Sequence, residues 1–158
     1  GEVPFTKHVT RDDGIDAIGI NTDFFKFGEE RGINVNGQME QRGLNELGKA
    51  LVIIHEGAHA DFERKAGGDQ SNDEEHDILA AGGENSYRSE IQKGLQEYND
   101  ANKLGFSKSD IEDLSYYSLQ GTASFNEHFK LDNKATDYAE KQRAVIERLD
   151  KLIYTEKK

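Results

Sequence analysis

The chain predicts a mainly α, α+β fold in one domain spanning residues 1–158. Three observations predict it. Beyond about residue 40, apolar side chains recur at spacings of three and four, the mark of helices with one buried stripe. The first stretch instead carries β-type side chains between turn signals. A length of 158 residues is enough for one real core and too short for two ordinary domains.

Val3 to Val9 and Ala17 to Phe27 carry the β-type residues, and Arg11-Asp12-Asp13-Gly14 between them reads as a turn. A small N-terminal sheet or hairpin is expected there, with Gly28 to Gly37 as a loop. From about Glu40 to Lys65, Leu44, Leu47, Leu51, Ile54, Ala58 and Phe62 mark the inner face of a first helix, which Gly67-Gly68 ends. Asp69 to Asp73 is a polar connection. A second helix is expected from near Asn72 or Asp73, past Gly82-Gly83, through Tyr87, Ile91, Leu95 and Tyr98 to Gly105. Ser109-Asp110-Ile111-Glu112 reads as a capping box that opens a short helix to about Leu119. Gly121 to Phe129 reads as a loop. The final helix is expected from about Asn133 to Tyr154, with Tyr138, Val145, Leu149 and Leu152 inward.

Composition narrows the function classes. A net charge of -11 repels a phosphate backbone, so nucleic acid is not expected as a partner. The balance suits solubility, cation retention or a basic partner. The chain has no cysteine, so a disulfide framework and a thiolate metal site are both excluded. Any zinc would be held by His, Asp or Glu. No run is long enough for a membrane span, and no signal peptide opens the chain. An opening Gly1 without Met suggests a piece of something longer, whose targeting information lies elsewhere.

The most specific chemistry sits at the end of the apolar run Leu51-Val52-Ile53-Ile54. There His55-Glu56-Gly57-Ala58-His59 forms a complete HExxH set. Residues four apart share one helix face, so both imidazoles can reach one metal ion. Glu56 projects beside them, where a zinc protease needs the base that deprotonates a metal-activated water. An incidental pair of surface histidines is the plain alternative. The apolar approach argues against it, because this helix should be buried.

A catalytic zinc normally takes three protein ligands. His76 is the expected third, because it follows His59 after a glycine-rich turn and opens the next helix. An antiparallel helix pair would bring it back beside the first helix. Glu75 and Glu84, with Glu74 and Asp77, are the acidic alternatives, although charge at a helix start also complements the helix dipole. His128 and Tyr117 are candidates for lining the cleft or donating to an oxyanion, as are Tyr87 and Tyr116. For a lone loop His or a buried Tyr, the ordinary role is packing.

Together these residues resemble the bacterial SprT-like zincin metallopeptidase domains found in polymorphic-toxin or Rhs-type secreted proteins. The resemblance runs over about residues 45–130. It rests on Leu51 to Ala60, then His76-Asp77-Ile78-Leu79-Ala80, then Leu95-Gln96-Glu97-Tyr98, and more weakly on Leu119-Gln120-Gly121-Thr122 with Phe125. Where that family usually carries Trp-Gly-Gly, this chain has Tyr117-Ser118 and no Trp. The resemblance implies a zincin-like fold, bound Zn²⁺, and hydrolysis of a protein or peptide substrate. It also implies secretion or delivery to a target cell as a toxin or effector, with an immunity or inhibitor protein as partner. The rival expectation is a non-catalytic, zinc-stabilised interaction domain. A further alternative is a metal-free helical binding module.

Overall fold

The computed structural model describes residues 6–10, 16–20, 30–66 and 86–157. They are mainly helical, with a three-stranded antiparallel sheet and a separate two-stranded one. The expected N-terminal hairpin is present: β1 (Thr6–Thr10) pairs antiparallel with β2 (Asp16–Ile20), from Thr6↔Ile20 to Thr10↔Asp16.

The expectation of a loop over Gly28 to Gly37 is corrected, because Arg31–Val35 is a strand, β3. It pairs with β4 (Gln38–Gly43) in the register Val35↔Gln38 to Arg31↔Arg42. The cause is local. Asn36 and Gly37 both take positive φ, 53° and 85°, as the two-residue turn most compatible with strand twist requires. The Asn34 side chain accepts the Gly37 N–H at 2.9 Å and stiffens the turn. With β4 occupying residues through Gly43, the first helix begins at Glu46 rather than near Glu40. A two-residue strand after the last helix, β5 (Glu156–Lys157), completes the sheet in the order β3-β4-β5.

The helices follow their apolar stripes. They are α1 (Glu46–Ala66), α2 (Tyr87–Ala101), α3 (Lys108–Leu114), α4 (Ala123–His128) and α5 (Tyr138–Ile153). Several boundaries differ from the sequence expectation. The helix expected to run through Tyr87 from near Asn72 or Asp73 instead begins at Tyr87, because Ser86 is extended and its hydroxyl accepts the Ser89 N–H at 3.1 Å. Ser107, not Ser109, caps α3, its hydroxyl accepting the Asp110 N–H at 3.1 Å, and the helix stops at Leu114. The segment expected as a loop from Gly121 to Phe129 contains α4, because the Thr122 hydroxyl accepts the Phe125 N–H and the Phe125 ring is fully buried. The last helix starts at Tyr138, not Asn133.

Helices α1 and α2 pack antiparallel, as the sequence predicts. Ile54 lies against Gly94, whose missing side chain leaves it room, while eight residues on Phe62 meets Tyr87 edge-to-face at 6.1 Å. Leu47, Leu51, Ile91, Leu95, Ile111, Leu114, Leu149 and Ile153 form the main core. No described helix is long and apolar enough to cross a membrane.

The start of α1 is joined to the end of α5 by one residue. The Asn45 side-chain oxygen accepts the Gly48 N–H at 2.9 Å, which caps α1. Its amide donates to the Leu152 carbonyl at 2.8 Å and to the Thr155 hydroxyl at 3.0 Å, and its backbone N–H donates to the Ile153 carbonyl at 2.8 Å. Gly48 makes this approach feasible, because a Cβ there would stand 3.0 Å from the Ile153 carbonyl oxygen. Gly48→Ala should therefore lower stability by about 1–3 kcal/mol through overpacking, against a gain of about 1 kcal/mol in helix propensity. The urea midpoint is the measurement. An unchanged or raised midpoint would show that the end of α5 yields without cost.

Candidate metal centre

His55 and His59 stand on the inner face of α1, on the same row as Leu51. His55 is 6% exposed, so the row stays buried as far as that residue, and His59 is partly buried. Their rings meet edge-to-face with centroids 4.8 Å apart, and the two Nε2 atoms lie 3.1 Å from each other. One Nε2–H can donate to the other in the appropriate tautomers. The same arrangement suits a shared cation. Two nitrogens each about 2.0–2.1 Å from a tetrahedral zinc stand about 3.3 Å apart, so a small adjustment converts the pair into ligands. The donors are of the right chemical kind and converge as a metal would require.

Glu56 is partly buried, about 100° around the helix from His55. Past the motif, Asp61 ties the end of α1 to the start of α2. Its carboxylate accepts from the Tyr87 hydroxyl at 3.1 Å and pairs with Arg64 at 2.7 Å. Tyr87 is thus placed at this end of the site, with its hydroxyl engaged by Asp61. No motif in the sequence marks Asp61, although it lies only two residues after His59.

His76, Glu75 and Glu84, with Glu74 and Asp77, lie outside the described residues. Among the described residues no group of three His, Cys, Asp or Glu side chains gathers to hold a metal. The described ends of the chain on either side are informative. The last described residue of α1, Ala66, stands about two turns beyond His59, and α2 begins at Tyr87 against Phe62.

Two other candidates are held elsewhere by their own partners. The His128 ring stacks on Tyr116 at 4.3 Å, and its Nε2 lies 2.8 Å from Asp113, which pairs in turn with Arg148 at 3.0 Å. The Arg88 guanidinium also lies over Tyr116, 4.8 Å from the ring centre. His128 therefore locks α3, α4 and α5 together. Burial, the leading cause, raises the Tyr116 hydroxyl above its ordinary pKa.

Tyr117 donates to the buried Asp150 carboxylate at 2.6 Å and accepts from Arg31 at 3.4 Å. Burial, then the adjacent Asp150 charge, pushes its hydroxyl far above the usual tyrosine range. Arg31 reaches Asp150 at 3.3 Å and lies over the Tyr154 ring. This cluster binds β3 and the residues after α3 to α5. The partner set of Tyr117 is this cluster and not the histidine pair. Asp150 is likewise unmarked by any motif, its only signal being one carboxylate among Leu149, Leu152 and Ile153 on the last helix.

No protein-family model, curated protein or solved structure matches this chain.

Asp150 carries a pH consequence. Burial raises its carboxyl above the ordinary value of 3.8, outweighing the Tyr117 hydrogen bond and the Arg31 charge, which lower it. The native state then holds this proton at a pH where the unfolded chain has lost it. The associated stability is present at low pH and is lost as pH rises through the native pKa. In melting temperatures measured from about pH 4 to about pH 7, the margin of the wild type over Asp150→Asn should shrink as pH rises. A margin that grows with pH would show that the Arg31 pairing outweighs burial.

Proposed function

We propose that the chain is a zincin-like, zinc-dependent metallopeptidase. The observation that carries this reading is the convergence of the His55 and His59 Nε2 atoms, 3.1 Å apart on a buried helix face, with Glu56 adjoining. His55 and His59 would hold the ion, and His76 is the proposed third ligand. The antiparallel return of the chain to Phe62 supports that choice, since the segment carrying His76 leaves from and comes back to the same end of α1. Zinc, when bound, would supply a Lewis acid for a carbonyl oxygen and lower the pKa of water toward neutrality.

The remaining work falls to the chain. Glu56, a carboxylate outside the ligand set, takes the proton from the attacking water and later passes it to the leaving amine. His55 and His59 are oriented by the rigid helix, whose start is tied to α5 through Asn45 and whose end is tied to α2 through Asp61 and Tyr87. Such two-ended support keeps ligand geometry from drifting.

The test separates catalysis from a purely structural metal. Zinc content is measured by elemental analysis, and hydrolysis with a quenched fluorescent peptide library. Glu56→Gln should retain zinc and lose about 10²–10⁴-fold in rate, the usual contribution of a general base. His59→Ala should lose the zinc as well. Full activity in Glu56→Gln would remove Glu56 from the reaction. Zinc-loaded protein that cleaves nothing would leave a zinc-stabilised interaction domain as the reading.

A further inference from the structure

The sheet offers a second place where a peptide can bind. β3 is an edge strand in the order β3-β4-β5. In a hairpin closed by a two-residue turn, the residues flanking the turn exchange both backbone hydrogen bonds, and such pairs alternate along the ladder. Val35↔Gln38, Ile33↔Glu40 and Arg31↔Arg42 are then the bonded pairs. The N–H and C=O groups of Gly32 and Asn34 consequently point away from β4, toward the outer edge. Among the described residues no strand pairs with that edge.

This edge forms one wall of a groove of about 430 Å³, with α5 as the other wall. Gly32 keeps the strand side low, having no side chain. Beside it stands Met39, 70% exposed and the most exposed large apolar side chain described. From α5 the groove receives Arg143, Ile146 and Glu147. An unprotected edge with an apolar neighbour is a template for strand addition, because only an extended backbone matches donors and acceptors two residues apart.

Charge gives the occupant a direction. Arg31, the first residue of β3, pairs with Asp150 near the end of α5. All other α5 residues lining the groove precede Asp150, so β3 runs along it antiparallel to the helix. A strand added antiparallel to β3, the more stable mode, would run parallel to α5 and pass Arg143 before Glu147. These two are one helical turn apart, about 6 Å, close to the roughly 6.4–6.8 Å between same-side residues of a strand. We infer that the open edge of β3 and the facing side of α5 form a docking site for an extended partner peptide with an acidic residue two positions before a basic one.

The inference is independent of the peptidase reading, and its test uses Glu56→Gln protein without added zinc. The probe is the fluorescein-labelled peptide Thr-Val-Glu-Val-Lys-Val-Thr, followed by anisotropy and by backbone amide exchange. Expected are saturable binding and slowed exchange at Gly32 and Asn34, with Ile33 unchanged because its amide is already bonded. Two versions N-methylated on alternate amides should differ, one losing at least about tenfold in affinity and the other little, since a strand uses one set of amides for each neighbour. Thr-Val-Lys-Val-Glu-Val-Thr, with the charges exchanged, should bind several-fold more weakly, and Arg143→Glu should reduce that preference. Absence of binding, equal binding of the methylated pair, indifference to charge order, or unchanged exchange at Gly32 and Asn34 would each overturn it. A peptide-free dimer in sedimentation that already protects those amides would overturn it in favour of a second copy.

Discussion

Asn45 is the constraint on which the arrangement depends. A helix start leaves N–H groups without partners, and a helix end leaves carbonyls. At the start of α1 and the end of α5 these opposite needs are met by one side chain, which accepts from Gly48 and donates to Leu152. The two helix termini must therefore lie within reach of a single amide. Gly48 allows that proximity by carrying no Cβ toward the Ile153 carbonyl. From this joint α1 runs outward with its apolar row against α2, and β5 follows α5 directly back onto β4.

The joint leaves α1 supported near both ends. At its far end the Asp61–Tyr87 hydrogen bond and the Phe62–Tyr87 ring contact hold α1 to α2. The histidines lie between these supports, His55 buried and His59 partly so. Ordered, convergent imidazoles on a packed helix suit metal binding better than flexible ones, because the entropy of arranging them is lost in folding and not at binding. Elsewhere, buried polar side chains also join elements. Asn99 donates to and accepts from Phe106, closing the α2–α3 connection, and Asp150 joins β3 to α5 through Arg31.

Legibility in the sequence varied with the range of the interactions. The apolar stripes of α1, α2 and α5 were readable because a helix repeats every few residues. The β3–β4 hairpin was equally local, and Asn36-Gly37 was its signal, but a helix pattern begun too early at Glu40 obscured it. Short α4 depended on Thr122 capping and on the burial of Phe125, and the second of these is a tertiary fact. The same holds for His128, which sequence placed near a cleft and the fold engages with Asp113 and Tyr116.

By itself the sequence determined that His55 and His59 share a helix face with Glu56 beside them, because a spacing of four is settled by backbone geometry alone. The apolar stripes of α1 and α2 were likewise local, but that the two helices pack antiparallel across the twenty residues between them was decided by the tertiary structure. Only the tertiary structure decided that the imidazole nitrogens converge to 3.1 Å, and that Tyr117 serves Asp150. It alone set, beside the charged side of α5, an edge of β3 with which no described strand pairs. These outcomes join residues far apart in the chain or depend on side-chain packing, and their geometry is set by how separate elements meet, which no local spacing encodes.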